Sequence, residues 1–167
     1  MMNFLTKLIS GVLACVVLFF PLTAQAQTST VFERQSLISA DLSRENLSGE
    51  TLQLREISDA NLTEANLSHT DLRGSIFTES VMVEANLEGA NLTFTVLNAV
   101  DFTGANLSQA ILEDAILSRA KFENTTITGA DFSNAVLDNS QIDQLCKSAE
   151  GVNEETGVAT RDSLGCL

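Results

Sequence analysis

From residue 37 to residue 142, every fifth residue is large and apolar. The series runs Leu37, Leu42, Leu47, Leu52, Ile57 and onward through Phe77, Met82, Leu87, Phe102, Phe122, Phe132 and Leu137 to Ile142, 22 positions without an insertion. The chain is only 44% hydrophobic, so chance does not produce that series. Neither common backbone element has this period: a helix repeats at about 3.6 residues and a strand at 2. A single unit cannot bury its own apolar residue, so the register demands an architecture in which copies stack.

A second periodicity runs two residues ahead of the first. From Ala60 to Ser140, 17 positions hold only Ala, Ser, Thr or Val. Each unit therefore turns one large and one small residue inward, and the other three, mostly polar, face water. In the stretch ANLEGANLTF, residues 85–94, Ala85, Leu87, Ala90 and Leu92 point in. Before residue 60 the small position departs from the rule, with Gln35, Glu45, Glu50 and Arg55. That predicts an irregular first coil or side chains bent outward as a polar end.

The A(D/N)LXX pattern resembles the pentapeptide-repeat family over residues 35–144. The resemblance implies an all-β solenoid, a right-handed quadrilateral β-helix in which each unit is one side and four units make one coil. At roughly 4.8 Å between stacked strands, the 22 units would rise about 26 Å. The family geometry also sorts outward residues into ladders. One face carries Ser36, Glu56, Ile76, Val96, Ile116 and Val136, with Phe94 at the adjoining corner, where Asn or Asp is usual. The opposite face carries Asn46, Asn66, Asn86, Asn106 and Thr126. The apolar stripe reads either as strand propensity, which Ile and Val have, or as a docking surface; a terminal segment lying over it is a third reading. The Asn ladder reads as self-satisfied turn bonding. Phe102 and Phe122 fall in one inward column beyond Met82, as core. His69, the sole histidine, falls at a corner column with Gly49, Gly89 and Gly129 and reads as solvated.

The ends carry different signals. Lys7 precedes the apolar run at residues 8–20; Pro21 breaks it, and Ala24 and Ala26 form a small-x-small cleavage motif. Residues 1–26 therefore read as a signal peptide, and the run is short for the roughly 20 residues of a membrane span. Cleavage leaves 8 basic and 22 acidic residues, net −14, and no proline to interrupt backbone ladders. It also leaves two cysteines, Cys146 and Cys166. An even count in an exported chain reads as a disulfide; zinc would need more ligands than two. Residues 27–34 form an N-terminal segment or cap, and residues 145–167 a short helical, disulfide-stapled cap, with Leu145 and Leu164 plugging the open end. A helix is expected from Ser140 or Asp143, and a second turn capped by Thr160. The stretch LCKSAEGVNEETGVATRDSLGC is similar to the endings of lumenal pentapeptide proteins of chloroplasts and cyanobacteria. Together with the leader, that resemblance implies the thylakoid lumen or periplasm.

No Ser/His/Asp set, phosphate loop or Cys/His cluster is present in the sequence. Carboxylates scatter over outward positions. Glu64 with Glu84, and Asp59 with Glu79, would stack one coil apart as solvated surface, with weak cation contact as the sharper alternative. The reading is thus a non-catalytic, exported structural or protein-interaction module without cofactor or metal. Its partner is a protein of the same compartment met through a solenoid face, and it has no nucleic-acid footprint, no membrane span in the mature chain and a monomeric state. The alternative is DNA mimicry: some pentapeptide-repeat proteins resemble a B-DNA rod and act on DNA gyrase, and a net −14 suits that, although gyrase is cytoplasmic.

Overall fold

The structure, a computed structural model, describes residues 37–167. The expected signal peptide with Ala24 and Ala26, the expected segment 27–34, Gln35 and Ser36 lie outside the described residues.

Sixteen parallel bridges build the body, and each joins a residue to the one 20 positions later, from Asp41–Asn61 to Ile116–Val136. One unit shows the whole logic. The Leu87 amide donates to the Asn106 carbonyl one coil ahead (2.8 Å), and the Asn86 amide donates to the Ala65 carbonyl one coil behind (2.9 Å). Ala90 then donates back to the Leu87 carbonyl (3.0 Å), closing the corner. Alternate backbone groups thus point up and down the axis, and the corner bond turns the chain onto the next side. Four sides close one coil, so the period of five is one edge of a square.

The corners share one conformation. All 20 corner positions from Ser39 to Asn134, five residues apart, have φ between 55° and 70°. Five are glycine and 15 are not. The corner residue is third in a four-residue turn, where a type II turn demands positive φ. For an ordinary L-residue this costs roughly 1–2 kcal/mol, and the ladder on both sides enforces it.

The core is one column. All the register residues from Leu37 to Phe132 are buried, as are the small inward residues from Ala60 to Ala130. Phe102 and Phe122 stack with ring centroids 5.6 Å apart. The inward hydroxyls find partners within the column. Thr70, Ser75, Ser80, Thr95 and Thr125 donate to the carbonyls of Leu47, Leu52, Ile57, Leu72 and Phe102, each 23 residues earlier, at 2.6–3.2 Å. That is why Ser and Thr substitute for Ala there: the hydroxyl is small and its hydrogen-bonding capacity is met.

Of the two readings of the first coil, the structure takes the second: its ladder is continuous, and Glu45 and Glu50 turn outward and are exposed. One boundary changes. At the other end the solenoid stops before residue 144. Helix α1 spans Asn139–Leu145, so Ser140 stands near its start as expected, and its N-cap is Asp138. Asp138 accepts from the Gln141 amide while Gln141 accepts from the Asp138 amide, a capping box that stabilises helix over another side of the square. Ile142 and Ser140 therefore leave the register, Ser140 being exposed. Helix α2 spans Thr160–Ser163; Thr160 is its first residue and buried, and the N-cap Ala159 makes no side-chain cap bond.

Candidate interaction surface

The C-terminal segment completes the scaffold that carries the surfaces. Cys146 and Cys166 are bonded, with Cα atoms 5.6 Å apart. Leu145, Ala149 and Leu164 are buried against the last coil. Three polar side chains satisfy that coil's edge. Gln141 Nε2 donates to the carbonyls of Leu117 and Ala120, both at 2.8 Å. Asn153 Nδ2 donates to those of Gly129 (2.8 Å) and Gln109 (3.1 Å). Ser163 Oγ accepts from the Phe132 amide (3.0 Å). A solenoid's terminal strand edges invite pairing with other chains, and these bonds cover one such edge. The sequence offered no periodic signal for Gln141 or Asn153, because each acts through partners far away along the chain.

Two opposite faces differ sharply. Asn66 Nδ2 donates to Asn46 Oδ1 and Asn106 Nδ2 to Asn86 Oδ1, both at 3.1 Å. The Oδ1 atoms of Asn46, Asn66, Asn86 and Asn106 also accept from backbone amides two residues on, at 3.0–3.3 Å. This ladder uses its amides internally.

Across from it, Glu56, Ile76, Val96, Ile116 and Val136 stack through consecutive parallel bridges. Ile76, Ile116 and Val136 are exposed at 38%, 37% and 50%. Phe94, on the corner two residues before Val96, is 64% exposed and has φ of 59°. An aromatic ring there gives up both burial and an easy backbone conformation. Leu54 is a residue the sequence reading missed. It is 81% exposed in the same corner column, and its Cδ2 lies 2.7 Å from where a Cβ of Gly74 would be. The glycine leaves room for Leu54 to lean along the column toward Phe94. Its place two coils before Phe94, at the same point of the register, was the available signal.

The carboxylates are spread out. Glu64 does not pair with Glu84; it accepts two bonds from the guanidinium of Arg44, at 2.9 and 3.0 Å, which lower its pKa. Such an exposed pair contributes little net stability, because water and salt screen it. Arg73 beside Asp71 holds that carboxyl down at about 2, against the opposing effect of burial and with help from the Gln53 amide. Lys121 bonds Asp101 at 3.0 Å. His69 is exposed and lies over Gly89. Among the described residues no group of three or more His, Cys, Asp or Glu side chains is placed to hold a metal ion, and no helix is long and apolar enough to cross a membrane.

The family model for pentapeptide repeats matches residues 56–93, 80–119 and 115–146, in eight copies. A pentapeptide repeat protein from the thylakoid lumen of Arabidopsis thaliana is 38% identical, with 75% of this chain and 88% of that one covered and a TM-score of 0.53. HetL, a pentapeptide repeat protein involved in heterocyst differentiation regulation in the cyanobacterium Nostoc, is 30% identical, with a TM-score of 0.50. There 58% of this chain matches 48% of HetL, so the match spans about half of that protein. None of the curated proteins is significantly similar. With the family model covering more than half of its length, the chain belongs to the pentapeptide-repeat family, and its fold is that family's right-handed quadrilateral β-helix closed by a short helical cap.

Proposed function

We propose that this chain is an exported, non-catalytic module of the thylakoid lumen or periplasm that binds a protein partner through the face carrying Ile76, Val96, Ile116, Val136 and the corner Phe94. The observation that carries the reading is the position of these side chains. Ile76, Val96, Ile116 and Val136 follow one another on one face at the outward site where the repeat mostly places Asn, Asp or Thr, and they are stacked in register; Val81 and Ile111 are isolated apolar residues at that site on other faces. Ile76, Ile116, Val136 and Phe94 are exposed and Val96 between them is half-buried; a contiguous apolar stripe at the surface marks interaction sites. Export is supported by the leader-like residues 1–26 and by the 38% identity to a lumenal protein. Cleavage after Ala26 would release a mature chain beginning with the segment 27–34.

A photo-crosslinker at Val96, with Asn86 on the opposite face as control, tests this in cells. Capture at Val96 alone is expected. No capture, or equal capture at both sites, defeats the reading. DNA mimicry draws on the excess of acid, but one edge here is apolar and the opposite face is an uncharged amide ladder, whereas a B-DNA mimic needs negative charge along its length. Inhibition of gyrase supercoiling by the mature protein at micromolar concentration would reverse that ranking.

A further inference from the structure

The docking face has a rim whose charge narrows what it can bind. Its apolar floor comprises Leu54, Ile76, Phe94, Val96, Ile116 and Val136. Leu54 over Gly74 extends the floor below Phe94 without an intervening charge. Leu54 and Val136 lie in coils four steps apart, about 19 Å along the axis at about 4.8 Å per coil. An α-helix covers that length with about 13 residues at about 1.5 Å each.

Around the floor stand five carboxylates. Glu56 continues the stripe below Ile76; Asp114 follows Phe94 in the corner column, beside Glu113; Asp59 and Glu79 occupy the next corner. None of the five is in an ion pair among the described residues, where the pairs are Arg44–Glu64, Arg73–Asp71 and Lys121–Asp101. Of the nearby cations, Arg73 is held by Asp71, and Arg55 and Arg119 are outnumbered. Residues 37–167 carry 7 basic and 21 acidic side chains, net −14. Charge of that size repels a second copy and an anionic lipid surface alike. It attracts a segment whose apolar stripe is bordered by Lys or Arg.

Resting on the docking reading above, we propose that this edge binds a basic amphipathic helix of a protein partner, about 13 residues long, with its apolar stripe on the floor and its cations against the rim carboxylates.

The probe is a synthetic helical peptide of about 14 residues with Leu at helical spacing and Lys elsewhere, compared with the same peptide carrying Glu for Lys. Binding to the mature protein is read by fluorescence anisotropy at about 50 and about 300 mM NaCl. The Lys peptide should bind and weaken at high salt, and the Glu peptide should not bind. The pair Phe94→Ser with Val96→Asn should lower affinity about tenfold or more. Glu79→Gln with Asp114→Asn should lower it about fivefold, while Glu88→Gln with Glu123→Gln, the same charge change away from this rim, should leave it within about 1.5-fold. Equal loss in the two charge pairs, or none in the apolar pair, means diffuse attraction and overturns the proposal. Sequencing of the peptide crosslinked to position 96 separates the two readings. A neutral or acidic segment there sinks the basic helix and leaves the docking face standing; no capture removes both.

Discussion

Asn153 offers a direct test of how the solenoid's end is held. It is 1% exposed, in a loop, yet makes four close hydrogen bonds. Its Nδ2 donates to the carbonyls of Gly129 and Gln109 at 2.8 and 3.1 Å, and its Oδ1 accepts from the amides of Glu155 and Thr156 at 3.0 Å each. Asn153→Ala strips all four. The Glu155 and Thr156 amides lie in exposed backbone and regain water, costing about 0.5 kcal/mol each, whereas the two carbonyls under the cap lose about 1 kcal/mol each or more. The expected loss is about 3 kcal/mol. At a urea slope of about 2 kcal/mol/M, the midpoint should fall by about 1.5 M. Amide exchange should rise at Gly129, whose amide donates to the Glu150 carbonyl in the same loop, and not at Leu87 in mid-column. A loss under about 1 kcal/mol, or one with exchange at Gly129 unchanged, refutes the assignment of the edge bonds to Asn153. Asn153→Asp sharpens the test. It keeps the acceptor but sets an oxygen against two carbonyls, which raises the new carboxyl's folded pKa. Its penalty should therefore be small below the unfolded pKa near about 3.9 and grow as pH rises above it.

Reducing the Cys146–Cys166 disulfide, which closes a loop with a sequence separation of 20, should cost about 3 kcal/mol in the chain-entropy model, read as a lower Tm; an unchanged Tm would place the cap's stability elsewhere. Ala99→Gly relieves a corner φ of 57° and should stabilise by about 0.5–1 kcal/mol in urea, the unfolded-state entropy of glycine offsetting part of the gain; destabilisation would mean the corner is not strained. Phe102→Ala removes one ring of the stacked pair and should cost about 3–5 kcal/mol, read as a lower urea midpoint. The Asp71 pKa, held at about 2, makes a contribution present above the unfolded carboxyl value of about 3.9 and lost as pH falls through 2. The stability gap between wild type and Arg73→Ala should thus be widest near neutral pH and shrink between pH values of about 4 and 2.

The repeat was legible because its physics is local and recurrent. Leu87 and Ala85 are inward for the same reason as Leu107 and Ala105, so a pattern of large and small residues specifies the sides, while the coil and the stripe from Ile76 to Val136 followed from the geometry that the family resemblance implies. The cysteine pair was legible from its count. The C-terminal boundary was not. Ile142 keeps the spacing in the sequence, but the chain leaves the square at Asp138 because one capping box outweighs the last unit of pattern. Leu54 carries no signal of its own in the sequence, because a corner residue has no fixed burial pattern and its lie over the bare backbone of Gly74 depends on stacking.

The sequence alone determined that units of five residues stack around a common core, since a single unit cannot bury its own large residue; the resemblance to the pentapeptide-repeat family implied four units per coil, and the 20-residue bridge offset shows it. Tertiary structure decided the left-handed corners that 15 non-glycine residues accept, the end bonds of Gln141 and Asn153, and the extent of the apolar edge. The reason is physical. A periodic burial pattern repeats along the chain and can be read there. Strain at a corner and satisfaction of a terminal carbonyl depend on atoms that only stacking brings together.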